Sequence, residues 1–186
     1  MKKYELTANT KNVYGKTLFQ VKALVNFGNV KAGELGGYIE KEENLSQHGT
    51  AWVFEKARIY GDAYVCGNAQ ISGNARIFDN ACVCDDAQIS GNARIFDNAC
   101  VCEKAQIYDN ARIYGDAYVC GNAHVYDDAK IYGKARVYDS ACVYNEAKIC
   151  EKAQIYDNAR IYGDAYVCGG VHVYDDAKIY GNAWIL

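Results

Sequence analysis

The chain has 186 residues and a formal net charge of −3 with a pI near 5.6, which argues against a general nucleic-acid binder because non-specific phosphate affinity needs clustered surplus lysine and arginine. It has nine cysteines, none in a CxxC pair, and this pattern argues against a secreted disulfide framework or a zinc ribbon. With no apolar h-region or membrane-length apolar run, we expect a soluble, cytoplasmic protein in a reducing compartment.

The N-terminal part of the chain differs from the rest. Apolar side chains alternate along residues 19–27, as in a half-buried strand. Glycines within residues 33–37 predict that the chain then turns into a first irregular coil. We therefore predict two parts, an N-terminal capping segment over residues 1–38 and a repeat region over residues 39–186.

From residue 51 onward the sequence consists of hexads such as "ARIYGD" at residues 57–62. The first position is Ala in 22 of 23 hexads and the third is Ile or Val in all 23. Residues two apart point to the same side of a strand, so Ala and Ile/Val are predicted to face the core. The fifth and sixth positions are mostly Gly, Asp, Asn, Glu or Lys, and Gly, Asp and Asn suit a bend.

The segment "AQISGNARIFDNACVC" fixes the number of hexads in one coil. It occurs at residues 69–84 and again at residues 87–102, so the copies lie 18 residues apart. One hexad cannot bury its own Ile, so successive coils must stack and share a core. Three hexads per 18-residue coil predict a triangular prism whose identical side chains lie above one another.

This pattern resembles the hexapeptide repeat of left-handed parallel β-helices, known from acyltransferases and γ-class carbonic anhydrases. Residues 19–53 also look like the N-terminal part of YdcK-like hexapeptide-repeat proteins of bacteria and phages, which carry only a provisional transferase assignment. The resemblance implies an all-β, single-stranded left-handed parallel β-helix whose open end is covered by a small N-terminal β cap. The left hand rests on the resemblance alone, since the general rule for parallel crossovers favours the right hand.

One predicted face of the prism carries a row of cations beside a row of aromatic rings, and we call it the arginine–aromatic face. Like charges one coil apart repel and need compensation from corner acids, ring contacts or an anionic partner. The alternative to a binding surface is a solvated face with local compensation, for example from Asp79 and Asp97. The predicted partner-binding residues are Arg58, Tyr60, Arg76, Phe78, Arg94, Phe96, Arg112 and Tyr114.

The other two faces carry cysteines and tyrosines. The thiol face has the row Cys66, Cys84, Cys102 and Cys120, beside Cys82 and Cys100. We interpret these thiols as small apolar side chains, because thiols on a flat strand face lie about 5–7 Å apart, too far for tetrahedral zinc. Metal binding by these thiols and vertical disulfides such as Cys82–Cys100 are the alternatives. The tyrosine face carries Phe54, Ser72, Ser90, Tyr108, Tyr126, Tyr144, Tyr162 and Tyr180, which serve packing or a subunit interface.

Catalytic chemistry finds little support in the sequence. The three histidines, His48, His124 and His172, lie several coils apart and lack a neighbouring nucleophile or carboxylate pattern. No loop projects from the repeats after residue 50, and the glycines are hexad bends rather than a phosphate loop. We therefore predict no catalytic residue, no cofactor and no metal.

The sequence favours a non-catalytic binding or scaffold protein that presents the arginine–aromatic face to a macromolecular partner. A protein partner is favoured over direct nucleic-acid binding. We also expect a homo-oligomer that forms through the open end at Trp184, Ile185 and Leu186. Two alternatives stay open: an acyltransferase-like enzyme with a site between subunits, and a phage-type inhibitor that occupies a nucleic-acid-binding host protein.

Overall fold

A computed structural model describes residues 2–186 and begins with an antiparallel hairpin. Its strands are β1 (Tyr4–Val13) and β2 (Lys16–Ala23), and β2 pairs antiparallel with β3 (Leu35–Ile39). The single helix of the described residues is one 3-10 turn at Glu42–Asn44, and no helix is long and apolar enough to cross a membrane.

The rest of the chain forms three parallel sheets, one on each face of a prism, to which every coil contributes one two-residue strand. The sheet of the arginine–aromatic face continues from β3 through Arg58–Ile59, Arg76–Ile77, Arg94–Ile95, Arg112–Ile113, Lys130–Ile131, Lys148–Ile149, Tyr166–Val167 and Trp184–Ile185. The sheet of the thiol face has Tyr64–Val65, Cys82–Val83, Cys100–Val101, Tyr118–Val119, Arg136–Val137, Gln154–Ile155 and His172–Val173. The sheet of the tyrosine face has Trp52–Val53, Gln70–Ile71, Gln88–Ile89, Gln106–Ile107, His124–Val125, Cys142–Val143, Arg160–Ile161 and Lys178–Ile179.

The pairing register confirms the 18-residue coil. Arg94 pairs with Arg76 on one side and with Arg112 on the other, each 18 residues away. Inside the prism, Ala and Ile/Val are fully buried, as at Ala93 and Ile95. The prediction of an all-β triangular parallel solenoid with an N-terminal β cap is therefore confirmed.

The corners explain why the hexads end in Gly, Asp or Asn. The fifth residue of a hexad adopts left-handed backbone geometry, with φ of 66° at Gly91 and 59° at Asp97. Several acids at this position also accept a backbone hydrogen bond from the next coil, as from Gly115 N to Asp97 Oδ2 at 3.0 Å. Corner acids therefore bind backbone, and this role links successive coils.

The N-terminal segment closes the first coil. Tyr4 and Trp52 are completely buried, and the Tyr4 hydroxyl donates to Leu45 O at 2.6 Å. The ring of Phe27 packs edge-on against Trp52 with 5.3 Å between centroids. Lys3 Nζ donates to Ala51 O at 2.9 Å, so the cap also satisfies carbonyls at the end of the prism.

The cap differs in detail from the sequence prediction. The strand predicted over residues 19–27 ends at Ala23, and β1 was not predicted. Gly36 lies inside β3 and not in a turn. Glycine is required at this position because a Cβ would come within 2.5 Å of Val53 O. The turn itself uses Gly33, whose φ is 89°. The division at residue 38 into two parts stays a prediction.

Candidate binding face

The aromatic row of the arginine–aromatic face is one continuous stack. Ring centroids along Tyr60, Phe78, Phe96, Tyr114 and Tyr132 are 4.9 to 5.1 Å apart, and successive planes lie within 5° of parallel. The spacing follows from in-register parallel strands, which place identical positions one above the other. Each inner ring therefore uses both of its faces on its neighbours and leaves its edge for other contacts.

The cation row lies beside this stack, also in register. Its members are Arg58, Arg76, Arg94, Arg112, Lys130 and Lys148. Among residues 2–186, no member of the row lies within 4 Å of a carboxylate, since the ion pairs there are formed by lysines of the cap and of the first coil: Lys2–Glu42, Lys16–Glu40, Lys22–Glu5 and Lys41–Asp62. The described cation–π pairs lie in the cap. Within the same range, the arginines form no ion pair with Asp79 or Asp97, although Asp79 borders the same pocket as Arg76 and Arg94.

The hairpin of β1 and β2 covers the first coil of this face, where two of the predicted partner-binding residues lie. Tyr60 is only 6% exposed because it packs with Val13, Leu18 and Tyr38. Arg58 is half-buried, and its Nε is buried without a hydrogen-bond partner among the described residues. Of the eight predicted partner-binding residues, Arg76, Phe78, Arg94, Phe96, Arg112 and Tyr114 lie on the uncovered part.

A pocket of about 370 Å³ lies where the hairpin tip meets the face. Its lining combines two residues of the hairpin with five of the coils: Tyr14, Lys16, Tyr60, Arg76, Phe78, Asp79 and Arg94. Arg76 Nη1 donates to the Tyr14 hydroxyl at 3.4 Å and thereby joins the two parts. The pocket was not predicted from the sequence because the hairpin was not.

Lys16 is held in place by Glu40. The two side chains form an ion pair of 2.9 Å, and Glu40 also accepts a hydrogen bond from Gly61 N at 2.6 Å. Burial alone would raise the pKa of Glu40, but these two hydrogen bonds lower it. Glu40 therefore stays ionised and ties the hairpin to the first corner.

The thiol face brings several sulfurs together. The thiols of Cys84 and Cys102 and the carboxylate of Asp85 all lie within 4.8 Å of one another. Cys82 and Cys100 are free rather than joined, and a hydrogen bond with Cys100 lowers the pKa of Cys82. The one disulfide among the described residues lies on another face: it joins Cys150 and Cys168, which continue the aromatic row beyond Tyr132, with 4.7 Å between Cα atoms.

The three histidines lie on different parts of the prism. His48 lies in the irregular coil between the cap and the first hexad, His124 on the tyrosine face between Gln106 and Cys142, and His172 on the thiol face. The structure does not bring them together. At the last coil, Trp184 is 69% and Leu186 78% exposed, while Ile185 is partly covered.

Comparison with known proteins agrees with this architecture. The sequence model of the "YdcK Beta solenoid repeat" matches residues 69–85, 87–103, 105–121 and 153–169. The chain is also 37% identical over 71 residues to a protein of Escherichia coli (strain K12) named "Uncharacterized acetyltransferase YdcK". That alignment covers 38% of this chain and 21% of the relative, so the chain matches only about a fifth of the relative's length.

Proposed function

Because the chain is a β-solenoid whose repeats are similar to the YdcK β-solenoid repeat, we propose that it is a non-catalytic binding scaffold whose arginine–aromatic face docks an acidic protein surface. The observation that carries the proposal is the cation row, in which four arginines and two lysines have no carboxylate partner. Stacked like charges without compensation are unfavourable, and an anionic partner would remove that cost.

The rigidity of the face favours tight recognition. Parallel pairing fixes the backbone of each arginine, and stacking fixes each ring between the coils above and below. Little freedom of the rings is then lost when a partner docks, and arginine and aromatic residues are enriched where interfaces are most strongly stabilised.

The aromatic stack argues for a protein partner over a nucleic acid. Proteins that hold single-stranded nucleic acids stack bases on free aromatic faces. Here Phe78, Phe96 and Tyr114 already use both ring faces on their neighbours, at centroid distances of 4.9 to 5.0 Å. Ring edges and guanidinium groups instead suit carboxylates and apolar side chains of a protein surface.

The pocket under the hairpin tip gives the docking face a defined end. Arg76 and Arg94 border it together with Phe78 and Asp79, and Lys16 enters from the hairpin, so the three cations outnumber the one carboxylate. This composition suits one carboxylate side chain or chain terminus of the partner, held by the guanidinium groups while its apolar neighbour contacts the ring. Docking would therefore begin at this pocket and continue along Phe96 and Tyr114.

Acetyl transfer is the alternative suggested by the name of the E. coli relative. It needs an oriented general base near an acceptor, and among residues 2–186 no carboxylate hydrogen-bonds the side chain of His48, His124 or His172 to orient it. An assay of acetyl-CoA hydrolysis and transfer tests it directly. Turnover that is lost on replacing one of these histidines by Asn would favour the enzyme over the scaffold.

The scaffold is tested by reversing the charge of two coils. We expect Arg76→Glu with Arg94→Glu to abolish binding of a labelled poly-glutamate probe, and the affinity of the parent protein for that probe to fall steeply with salt. The matched control is Arg136→Glu with Arg160→Glu, which reverses two exposed arginines on the other faces and should leave binding unchanged.

The same variants can be used to compare which proteins each of them captures from a host lysate. A protein retained by the parent and by the control variant, but not by the Arg76/Arg94 variant, supports the proposal. A captured nucleic-acid-binding protein would favour the inhibitor alternative, and preferential binding of a single-stranded DNA probe would favour nucleic acid. Equal loss in both double variants would contradict a specific role for this face.

A further inference from the structure

The corner where the thiol face meets the next face places two thiols and a carboxylate together. Cys84 is the fourth residue of its hexad, Asp85 follows it at the corner with φ of 59°, and Cys102 lies one coil above Cys84. Their ligand atoms lie within 4.8 Å of one another, and Cys84 Sγ donates to Asp85 Oδ2 at 3.6 Å. We propose that Cys84, Asp85 and Cys102 form a zinc site.

The thiols of Cys84 and Cys102 lie within 4.8 Å of each other, closer than the roughly 5–7 Å expected for thiols on a flat strand face. Zinc–sulfur bonds of about 2.3 Å place two sulfurs about 3.8 Å apart in a tetrahedron. Parallel pairing on this face keeps the backbones of the two coils next to each other. Rotation of the side chains can then close the remaining distance from 4.8 Å. Asp85 comes from a turn, which is where ligands to structural zinc are usually placed.

The surroundings of the three ligands favour a cation. A groove of about 380 Å³ opens beside Asp85, and its lining also includes Asp86 and Glu103. Glu103 N donates to Asp85 Oδ2 at 3.2 Å, which orients that carboxylate. Lys104 is the one cation in the lining, so the local charge is negative before any thiol ionises.

The ligand set selects the metal. Two thiolates with one carboxylate suit Zn²⁺ better than Cu(I), which prefers sulfur alone, or Mg²⁺, which prefers oxygen alone. The cation would displace two thiol protons, one from Cys84 and one from Cys102. The Cys102 thiol donates its proton to the Tyr118 hydroxyl at 3.0 Å, and the cation would replace this hydrogen bond. A fourth position is left for water, because the chain supplies three ligands here.

The test is a titration of the reduced, chelator-treated full chain with Zn²⁺ in competition with a chromogenic indicator. We expect one tightly bound Zn²⁺ per chain and its loss in Cys84→Ser with Cys102→Ser. Asp85→Asn should weaken binding by about tenfold or more, the loss that even outer partners of a metal ligand cause. Cys142→Ser, a half-buried cysteine of the tyrosine face, is the matched control and should bind as the parent does.

A second readout identifies the ligands themselves. Co²⁺ in place of Zn²⁺ should give a sulfur-to-metal charge-transfer band that disappears in the double serine variant, while the thermal melt of the metal-free variant stays close to that of the metal-free parent. Absence of stoichiometric Zn²⁺ binding by the reduced parent would overturn the proposal. Equal binding by the parent and the double variant, or equal loss in Cys142→Ser, would overturn it as well.

Discussion

Ile95 shows how much depends on a single inward position. Its side chain is completely buried between Ile77 and Ile113, the equivalent residues of the coils on either side. The buried residues that surround it in the core cluster are Ala, Ile and Val, which offer no polar side chain. A charge placed there would lose its hydration without gaining a hydrogen bond.

We therefore predict that Ile95→Asp lowers the free energy of unfolding by more than about 4 kcal/mol. Gln88→Asp is the control, because Gln88 is exposed and its replacement should change stability by no more than about 0.5 kcal/mol. Chemical denaturation followed by circular dichroism measures both. An Ile95→Asp variant as stable as the Gln88→Asp variant would mean that the inward positions are wrongly assigned.

At the residue scale, the inward and corner positions were predictable from sequence because every hexad repeats them. Burial of Tyr60 was not, because its hexad "ARIYGD" is identical to "ARIYGD" at residues 111–116, where Tyr114 is only half-buried. The difference comes from Val13 and Leu18, which lie far away in sequence. The repeats therefore predict what a position faces, and contacts from outside the repeats decide whether it stays open.

At the scale of elements, the hairpin of β1 and β2 was the largest departure from prediction. Strand β1 is mostly exposed, so its sequence lacks the alternation that marks a half-buried strand. Its turn has positive φ at both Tyr14 and Gly15, 53° and 81°, the geometry of a type I′ turn. Asn-Gly is the usual sequence there, and tyrosine in the first position hid the turn.

The stacked tyrosines of the tyrosine face give a pH-dependent contribution to stability. Burial and neighbouring charges raise the pKa of Tyr108, Tyr126 and Tyr144, that of Tyr126 to about 12. An unfolded tyrosine ionises near pH 10, so above that pH the folded state binds more protons than the unfolded state. The stability from this stack is thus fully present below about pH 10 and is lost as pH rises towards the folded pKa.

We predict that replacing Tyr108, Tyr126 and Tyr144 together by Phe makes the free energy of unfolding less dependent on pH above about pH 10. The rings keep their stacking, with centroids 4.9 Å apart in the parent, so stability at neutral pH should change little. Urea unfolding on either side of pH 10 measures the slope. Tyr64→Phe, outside the stack, serves as the comparison, and a triple variant with the slope of the parent would contradict the prediction.

At the scale of the whole molecule, the two ends of the prism are unlike. The first coil is closed by Tyr4 and Trp52, whereas the last coil exposes Trp184 and Leu186 beside unpaired strand edges. Exposed apolar side chains and unpaired backbone favour contact with a second copy. A two-fold contact would cover both ends at once.

We predict that this chain self-associates and that Trp184→Lys with Leu186→Lys makes it monomeric, because charges would then face each other across the contact. Light scattering over a range of concentrations measures the state. Tyr64→Lys, which changes an exposed ring on the side of the prism, should leave association unchanged. A parent that is strictly monomeric at high concentration would contradict the prediction, and loss of association only in the Tyr64 variant would place the contact on the side.

Because the 18-residue register is unbroken, the position of a residue along the chain decides on which face it lies. The effect of an insertion or deletion on the faces therefore depends on its length. Loss of 18 residues would shorten the rod by about 4.8 Å and leave every later row on its own face. Loss of six residues, for example 87–92, would keep every Ala and Ile/Val inside and yet turn all later rows by a third of a circle. Arg94 would then continue the tyrosine face and Cys100 the cation row. A six-residue deletion would thus keep the core pattern that folding needs and destroy the rows on the surface. Such deletions therefore distinguish selection for the fold from selection for binding by the faces.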